Sequence, residues 1–217
     1  IFRRANMYAV LGDSVAYDRE VFRALHSPNL DVEPKVSILT SDVRELFSDP
    51  AQEPRIRELF TDLEQMHTGE TSIYDLYGSY LYTIKDYKGA AEQASYTLAL
   101  NPAEDSNWST LVQMQALARD TVEMIKTSKE AMGKFPDNLY YPIFAAQAYS
   151  WREEYGEAIS LLNSVEIPKD ANPRGVASFY AVMGDIYNLA GDTVQAVDTY
   201  LKSLEYEPDD MMILNNA

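Results

Sequence analysis

The chain has 217 residues, of which 34 are acidic and 18 are basic, so its formal net charge is −16, and 46% of its residues are hydrophobic. That hydrophobic content is enough to bury a substantial core, whereas a surface this acidic repels nucleic-acid phosphates and anionic lipid headgroups. The sequence contains no cysteine, which excludes disulfides, thiolate metal sites and cysteine nucleophiles, and it has no run of about 18 apolar residues that could span a membrane.

The start of the sequence carries no targeting signal that can be recognised. Residue 1 is Ile, and no charged segment followed by an apolar segment comes after it. We therefore expect the sequence to begin inside a longer protein. The localisation stays open between the cytoplasm and a bacterial cell envelope.

Amphipathic helical stretches dominate, and they recur with a constant spacing. Units begin at residues 37, 71, 105 and 139, which are 34 residues apart, and again at 177 and 211. The predicted units, in chain order, are a partial unit 1–36, then 37–70, 71–104, 105–138, 139–176, 177–210 and a truncated unit 211–217.

The first two units are the least regular. In the partial unit, the residues that fit the pattern are Ala5, Tyr8, Gly12 and Ala24. The unit from residue 37 carries Val43, Phe47, Ile56, Phe60 and Leu63 at its apolar positions. Arg44 stands where a small residue recurs in other units, and the acidic and proline-rich residues 49–54 predict a longer turn between the two helices.

The next two units keep the pattern with one difference. The unit from residue 71 pairs Gly78 with Ala90 at two positions that hold small residues, which lets two helices approach closely. The unit from residue 105 holds Val112 and Met124 at these positions, so we expect its helices to splay slightly.

The last two complete units differ in spacing. The unit from residue 139 pairs Ala146 with Ala158, and four extra residues near 172–175 delay the start of the next unit to Ala177. That next unit pairs Gly184 with Ala196. Its bulky residues, small residues and final proline are Tyr180, Met183, Gly184, Tyr187, Ala196, Tyr200, Ser203 and Pro208.

This pattern resembles the tetratricopeptide-repeat family, of bacterial type. The family places bulky residues at positions 4, 7, 11 and 24 of a 34-residue unit, small residues at 8, 20 and 27, and proline at 32, and the unit from Ala177 matches each in class. The resemblance implies an all-α fold, a right-handed α–α superhelix of stacked helix pairs that spans residues 1–217 as one solenoid. A repeat of the armadillo or HEAT type would need about 40 or more residues per unit.

The sequence offers no catalytic or metal-binding constellation. His26 and His67 lie in different units without a partner four residues away, which favours surface or interface histidines over ligands. No phosphate-binding glycine pattern occurs, and the acidic pairs are not placed around a pocket. We therefore expect no enzyme activity, no cofactor and no bound metal.

The resemblance also implies that extended peptides bind along a concave groove lined by the first helix of each pair. None of the groove positions holds Lys or Arg, so we expect a neutral or basic peptide, anchored by an apolar side chain near Tyr140, Ile143 and Trp151. The alternative is that Tyr82 and Trp151 pack between units. The predicted groove residues are Asp75, Ser79, Tyr82, Ser109, Gln113, Tyr140, Ile143, Gln147, Trp151, Asp185 and Asn188.

Two functions follow from the resemblance. The first is a non-enzymatic scaffold whose partner is a protein or an extended peptide, with no nucleic acid bound. The alternative is a regulatory or substrate-recruiting arm of a larger enzyme or sensor protein whose catalytic part lies outside this sequence.

Overall fold

The structure, a computed structural model, describes residues 2–41, 49–209 and 211–216. All regular structure within these ranges is helical, and no strand occurs in them. The chain divides into two compact units, residues 1–100 and 101–217.

Within its described residues, the first unit holds six α-helices and a short 3₁₀ turn. Helices α1, α2 and α3 span Phe2–Leu11, Ser14–Leu25 and Val32–Ser41. The 3₁₀ turn spans Pro50–Gln52, and α4, α5 and α6 span Glu53–Met66, Thr71–Thr83 and Tyr87–Leu100. Helix α2 packs back on α1 and α6 packs back on α5, while α3 and α4 both contact α5.

The part of the second unit that the structure describes holds seven α-helices. Helices α7 to α10 span Asp105–Leu117, Thr121–Lys134, Tyr140–Trp151 and Tyr155–Asn163, and α11 to α13 span Pro173–Leu189, Thr193–Tyr206 and Met211–Asn216. Helices α7 and α8, α9 and α10, and α11 and α12 form pairs, and α9 also contacts α7, α8 and α11.

In each of the five complete units, the second helix begins at the same distance from the predicted start of its unit. Helices α4, α6, α8, α10 and α12 all begin 16 residues after their predicted unit starts. The pairs are held by buried apolar side chains, each of which contributes about 1.5–3 kcal/mol when it is withdrawn from water. In the first unit, the side chains that are fully buried include Leu25, Leu39, Ile56, Phe60, Leu63 and Ile73.

The unit predicted from residue 37 differs from the prediction at its first helix. Helix α3 begins at Val32, five residues early, with Pro34 in its first turn, where the missing N–H costs little. Glu53 and Pro54, which the sequence assigns to the turn, are the first residues of α4. The predicted positions Val43, Arg44 and Phe47 lie outside the described residues.

Of the extra residues near 172–175, those from Pro173 onward belong to helix α11, and Asn172 caps it. Helix α10 ends at Asn163, five residues short of the position where α6, α8 and α12 end in their own units. Pro168 stands at the position where those helices end, and α10 cannot extend through it, because a proline there would clash with the carbonyl of Ser164 in a continued helix. Helix α11 then begins at Pro173, where the Asn172 side chain accepts a hydrogen bond from the N–H of Arg174 (2.9 Å).

Gly184 makes room for an aromatic ring as well as for a close approach of helices. A Cβ atom built at Gly184 would lie 2.5 Å from Cε1 of Tyr200, whereas the predicted partner Ala196 is not among its nearest neighbours. Tyr200 is buried and belongs to one cluster with Ala196 and Ile213. It therefore packs on its own helix pair and on the following helix.

Candidate functional site

An open cleft of about 720 Å³ lies where the start of α9 faces the start of α11. We call it the α9–α11 cleft. Its lining combines the end of α8, the α8–α9 turn, the first turns of α9 and α11, and the connection before α11. The lining residues are Asp105, Lys134, Phe135, Pro136, Asp137, Asn138, Leu139, Tyr140, Ile143, Ala171, Asn172, Gly175 and Ser178.

The α8–α9 turn is fixed by hydrogen bonds to Asp105. Asn138 donates from Nδ2 to Oδ2 of Asp105 (2.9 Å), and its own Oδ1 accepts the N–H of Tyr140 (3.0 Å). The buried hydroxyl of Tyr141 donates its single proton to the carboxylate of Asp105 and lies 3.0 Å from the carbonyl oxygen of the same residue. Burial and these contacts raise the pKa of Tyr141, so its hydroxyl stays protonated and keeps donating. The cleft wall is therefore held in place before any ligand arrives.

Tyr140 provides an aromatic wall of the cleft. Its ring is half-buried and stacks on Phe144 with centroids 4.2 Å apart, and it meets the ring of Tyr141 edge-on at 5.7 Å. Burial raises the pKa of Tyr140 to about 12, so the ring is neutral near pH 7. A ring held from two sides loses little conformational entropy when a ligand packs against it.

The opposite wall is unobstructed. Gly175 lies in the first turn of α11, and a Cβ atom built there would meet no other atom within 4 Å. The Asn172 carboxamide oxygen is used in capping α11, and Ser178 is exposed. The cleft thus has an apolar floor with polar groups at its edge, which is the composition of a ligand site.

Two cations lie near the predicted groove residues. The ammonium of Lys134, at the cleft edge, lies 5.5 Å from the ring of Trp108. The guanidinium of Arg119 lies 3.9 Å from the ring centroid of Trp151. The groove positions themselves carry no cation, but their surroundings do.

The described residues contain neither a membrane-spanning helix nor a cluster of candidate metal ligands. None of their helices is both long enough and apolar enough to cross a bilayer. No group of three or more His, Asp or Glu side chains among them could hold a metal ion.

Solved structures similar to this chain are tetratricopeptide-repeat proteins. TTC0263 from Thermus thermophilus, a thermophilic protein of this kind, matches 73% of this chain and 84% of its own at 14% identity and a TM-score of 0.53. YrrB, described as having an unusual peptide-binding site, matches 83% and 97% at 14% identity and a TM-score of 0.56. MamA from Desulfovibrio magneticus matches 81% and 97% at 13% identity and a TM-score of 0.57.

The chain has the tetratricopeptide-repeat fold. The all-α fold class and the helix pairs predicted from the sequence are thereby confirmed. No protein-family model and no curated protein matches the sequence.

The predicted groove residues of the tetratricopeptide pattern fall into three groups. Tyr140 and Ile143 line the α9–α11 cleft. Gln147 and Trp151, further along α9, are half-buried, and Arg119 covers the ring of Trp151. The rest are distributed over other helices, so the cleft collects only part of the predicted set.

The remaining predicted residues are largely exposed, and several are already hydrogen-bonded. Asp75 accepts a hydrogen bond from the hydroxyl of Thr97 (2.8 Å), and Asp185 accepts one from Tyr200 (2.7 Å). Tyr82 is 49% exposed and meets Tyr87 edge-on at 5.8 Å. The exposed or half-buried others are Ser79, Ser109, Gln113 and Asn188.

Sequence reasoning missed the turn and connection residues of the cleft. Phe135, Pro136 and Asp137 belong to the α8–α9 turn, and Ala171 and Asn172 precede α11, so none of them is among the predicted groove residues. The four-residue departure from the 34-residue spacing was the available signal, because it marks where two neighbouring first helices differ in length. No feature of the sequence pointed to Arg119, because its contact with Trp151 depends on the backbone conformation of the turn between α7 and α8.

Proposed function

We propose that this chain is a non-enzymatic protein-binding scaffold whose α9–α11 cleft takes a neutral or basic segment of a partner protein. The observation that carries the proposal is the cleft itself, which is open and walled by a fixed aromatic ring. Its volume of about 720 Å³ lies within the range of about 300–1,000 Å³ that is usual for ligand pockets.

The proposed ligand inserts a bulky apolar side chain between Tyr140 and the first turn of α11. Ile143, Leu139 and Ala171 complete the apolar lining. Few buried aromatic or aliphatic anchors carry most of the affinity in such interfaces, while the surrounding polar residues exclude water. Asp137 is exposed at the cleft edge, where it can pair with a basic residue that flanks the anchor.

The charge of the chain supports the same choice of ligand. A protein of net charge −16 attracts basic segments and repels acidic ones, which raises the association rate of the former. The proposal requires no catalytic group, and it rests on binding alone.

Two glycines in the first turns of α10 and α11 allow a matched test. Gly175 faces the cleft and Gly156 lies on the exposed start of α10, and a Cβ atom at either would meet no atom within 4 Å. Leucine at either position should leave the fold intact, because leucine favours a helix over glycine by about 0.8 kcal/mol. Only Gly175→Leu places a side chain in the cleft.

We expect Gly175→Leu to weaken the binding of array-selected peptides by about tenfold or more, which is about 1.4 kcal/mol. Gly156→Leu should bind as the parent does, and both variants should melt at or above the parent temperature. Fluorescence anisotropy with labelled peptides measures the affinities. Equal binding by Gly175→Leu and the parent would show that the peptides bind elsewhere on the chain.

A further inference from the structure

The start of α3 and the end of α4 are joined by a buried contact between a lysine and a histidine. Lys35 is fully buried, and its Nζ lies 2.8 Å from Nε2 of His67. His67 follows the last residue of α4, and its backbone N–H still donates to the carbonyl of Leu63 (2.9 Å). The sulfur of Met66 lies 3.8 Å from the same ammonium.

The chemistry of the two groups fixes the proton on His67. A lysine ammonium has three donors and no acceptor, so Nε2 of His67 must accept the hydrogen bond. The imidazole is therefore neutral and carries its proton on Nδ1. A second proton on His67 would turn Nε2 into a donor that faces another donor and would place two cations about 2.8 Å apart.

The charged groups around His67 shift its pKa in both directions. Burial and the charge of Lys35 lower the pKa of His67, whereas the carboxylates of Glu70, Asp31 and Glu33 raise it, and the net direction is downward. Burial also lowers the pKa of Lys35. The three carboxylates come from the segment before α3, from α3 itself and from the turn before α5.

The only other histidine of the chain, His26, has acceptors rather than a donor beside its ring nitrogens. Nδ1 of His26 lies 2.7 Å from the carbonyl of Phe22, and Nε2 lies 3.2 Å from a carboxylate oxygen of Asp62. Both nitrogens of His26 face acceptors, whereas Nε2 of His67 faces a donor. His26 is thus a natural control for His67.

We propose that the Lys35–His67 contact is a pH-sensitive latch, which holds the start of α3 on the end of α4 and opens when His67 is protonated. The latch is independent of the proposed protein-binding function. Because folding lowers the pKa of His67, its contribution to stability is complete above the unfolded value of about 6.5 and is lost as the pH falls below that value.

Hydrogen exchange on the full chain tests the latch. The backbone amides of Ile38, Leu39 and Thr40 lie in α3. Their protection factors should fall by up to about tenfold per pH unit below about pH 6.5, because one proton is taken up on opening. Amides of α12 should keep constant protection factors over the same range. Protection in α3 that does not depend on pH would overturn the proposal.

Three variants separate the latch from a general effect of acid. His67→Gln keeps an acceptor that cannot be protonated, so α3 should become insensitive to pH. His26→Gln should leave the response unchanged. Lys35→Met removes the opposing cation, so the NMR titration midpoint of His67 should rise. An identical midpoint in Lys35→Met and the parent, or an unchanged response in His67→Gln, would refute the latch.

Discussion

In five helix pairs, one residue of the turn between the two helices has a positive φ, which is the left-handed backbone conformation. Gly12 and Gly191 have φ values of 71° and 85°, and Lys85, Arg119 and Glu153 have 64°, 56° and 61°. An acidic residue follows each of these five positions. In four of the five pairs, the carboxylate of that acidic residue accepts a hydrogen bond from the backbone N–H three residues later, in the first turn of the second helix. Those four acidic residues are Asp13, Asp86, Asp120 and Asp192.

This repeated turn closes each pair with few residues. Glycine adopts a positive φ without steric cost, whereas a residue with a Cβ atom is disfavoured there by about 1–2 kcal/mol. The aspartate then satisfies one of the N–H groups that the helix leaves free. The three non-glycine residues are therefore strained positions that the rest of the pair tolerates.

Lys85→Gly should stabilise the chain by about 1 kcal/mol, because it removes this strain at an exposed position. Lys88→Gly is the matched control, since the same substitution three residues later lies in the first turn of α6. That control should cost up to about 1 kcal/mol of helix propensity. Urea unfolding of both variants measures the two changes, and opposite signs are expected. Two destabilising substitutions would contradict the strain at Lys85.

At the scale of helices, the sequence predicts the second helix of each pair better than the first. Helices α4, α6, α8, α10 and α12 each begin 16 residues after a predicted unit start, because the small and bulky residues that pair the helices recur in phase. The first helices α3 and α11 begin early, since a proline is accepted in the first turn of each. A repeat pattern does not contain that information, as it records packing positions rather than helix starts.

The sequence predicted only some of the residues that line the cleft, because a repeat pattern records only the positions that the units share. Tyr140 and Ile143 occupy positions that recur in every unit, so the repeat pattern identified them. Asn172 and Gly175 line the cleft because α11 is one turn longer than α5 or α7. Such a feature arises from the difference between two units, and a pattern that assumes equal units cannot place it.

Packing within the α11–α12 pair depends on the absence of a side chain at Gly184. A Cβ atom there would lie 2.5 Å and 2.6 Å from two ring carbons of Tyr200. That ring cannot move freely, because it is buried and its hydroxyl donates to Asp185 (2.7 Å). Gly184 therefore sets how closely α11 and α12 approach.

Gly184→Ala should destabilise the chain by about 1–3 kcal/mol through overpacking. Gly156→Ala is the matched control, because alanine there meets no atom within 4 Å and favours the helix by up to about 1 kcal/mol. Thermal or urea unfolding distinguishes the two. A Gly184→Ala variant as stable as the control would show that Tyr200 does not pack as described.

For the molecule as a whole, charge acts on two length scales. The net charge of −16 creates a field that a ligand meets before contact, and salt screens that field beyond about 10 Å at 0.1 M. Lys134 and Arg119 act only on groups that reach the cleft edge or the ring of Trp151. A ligand with a basic residue gains from the long-range field, whereas one with an acidic residue is repelled by that field and gains from pairing with a local cation such as Lys134 or Arg119.

Three peptides that share one aromatic anchor and differ in a flanking Lys, Gln or Glu should separate these effects. At low salt we expect the Lys peptide to associate fastest and the Glu peptide slowest, because the field of the whole chain dominates the approach. Added salt should reduce the difference, mainly by slowing the Lys peptide, and should leave the Gln peptide nearly unchanged. Stopped-flow fluorescence measures the rates.

Lys134→Gln and Arg119→Gln serve as controls that alter local pairing and change the net charge by only one unit each. Tighter binding of the Glu peptide, abolished by Lys134→Gln, would instead assign the cleft to acidic partners, since the local cation would then outweigh the field of the chain.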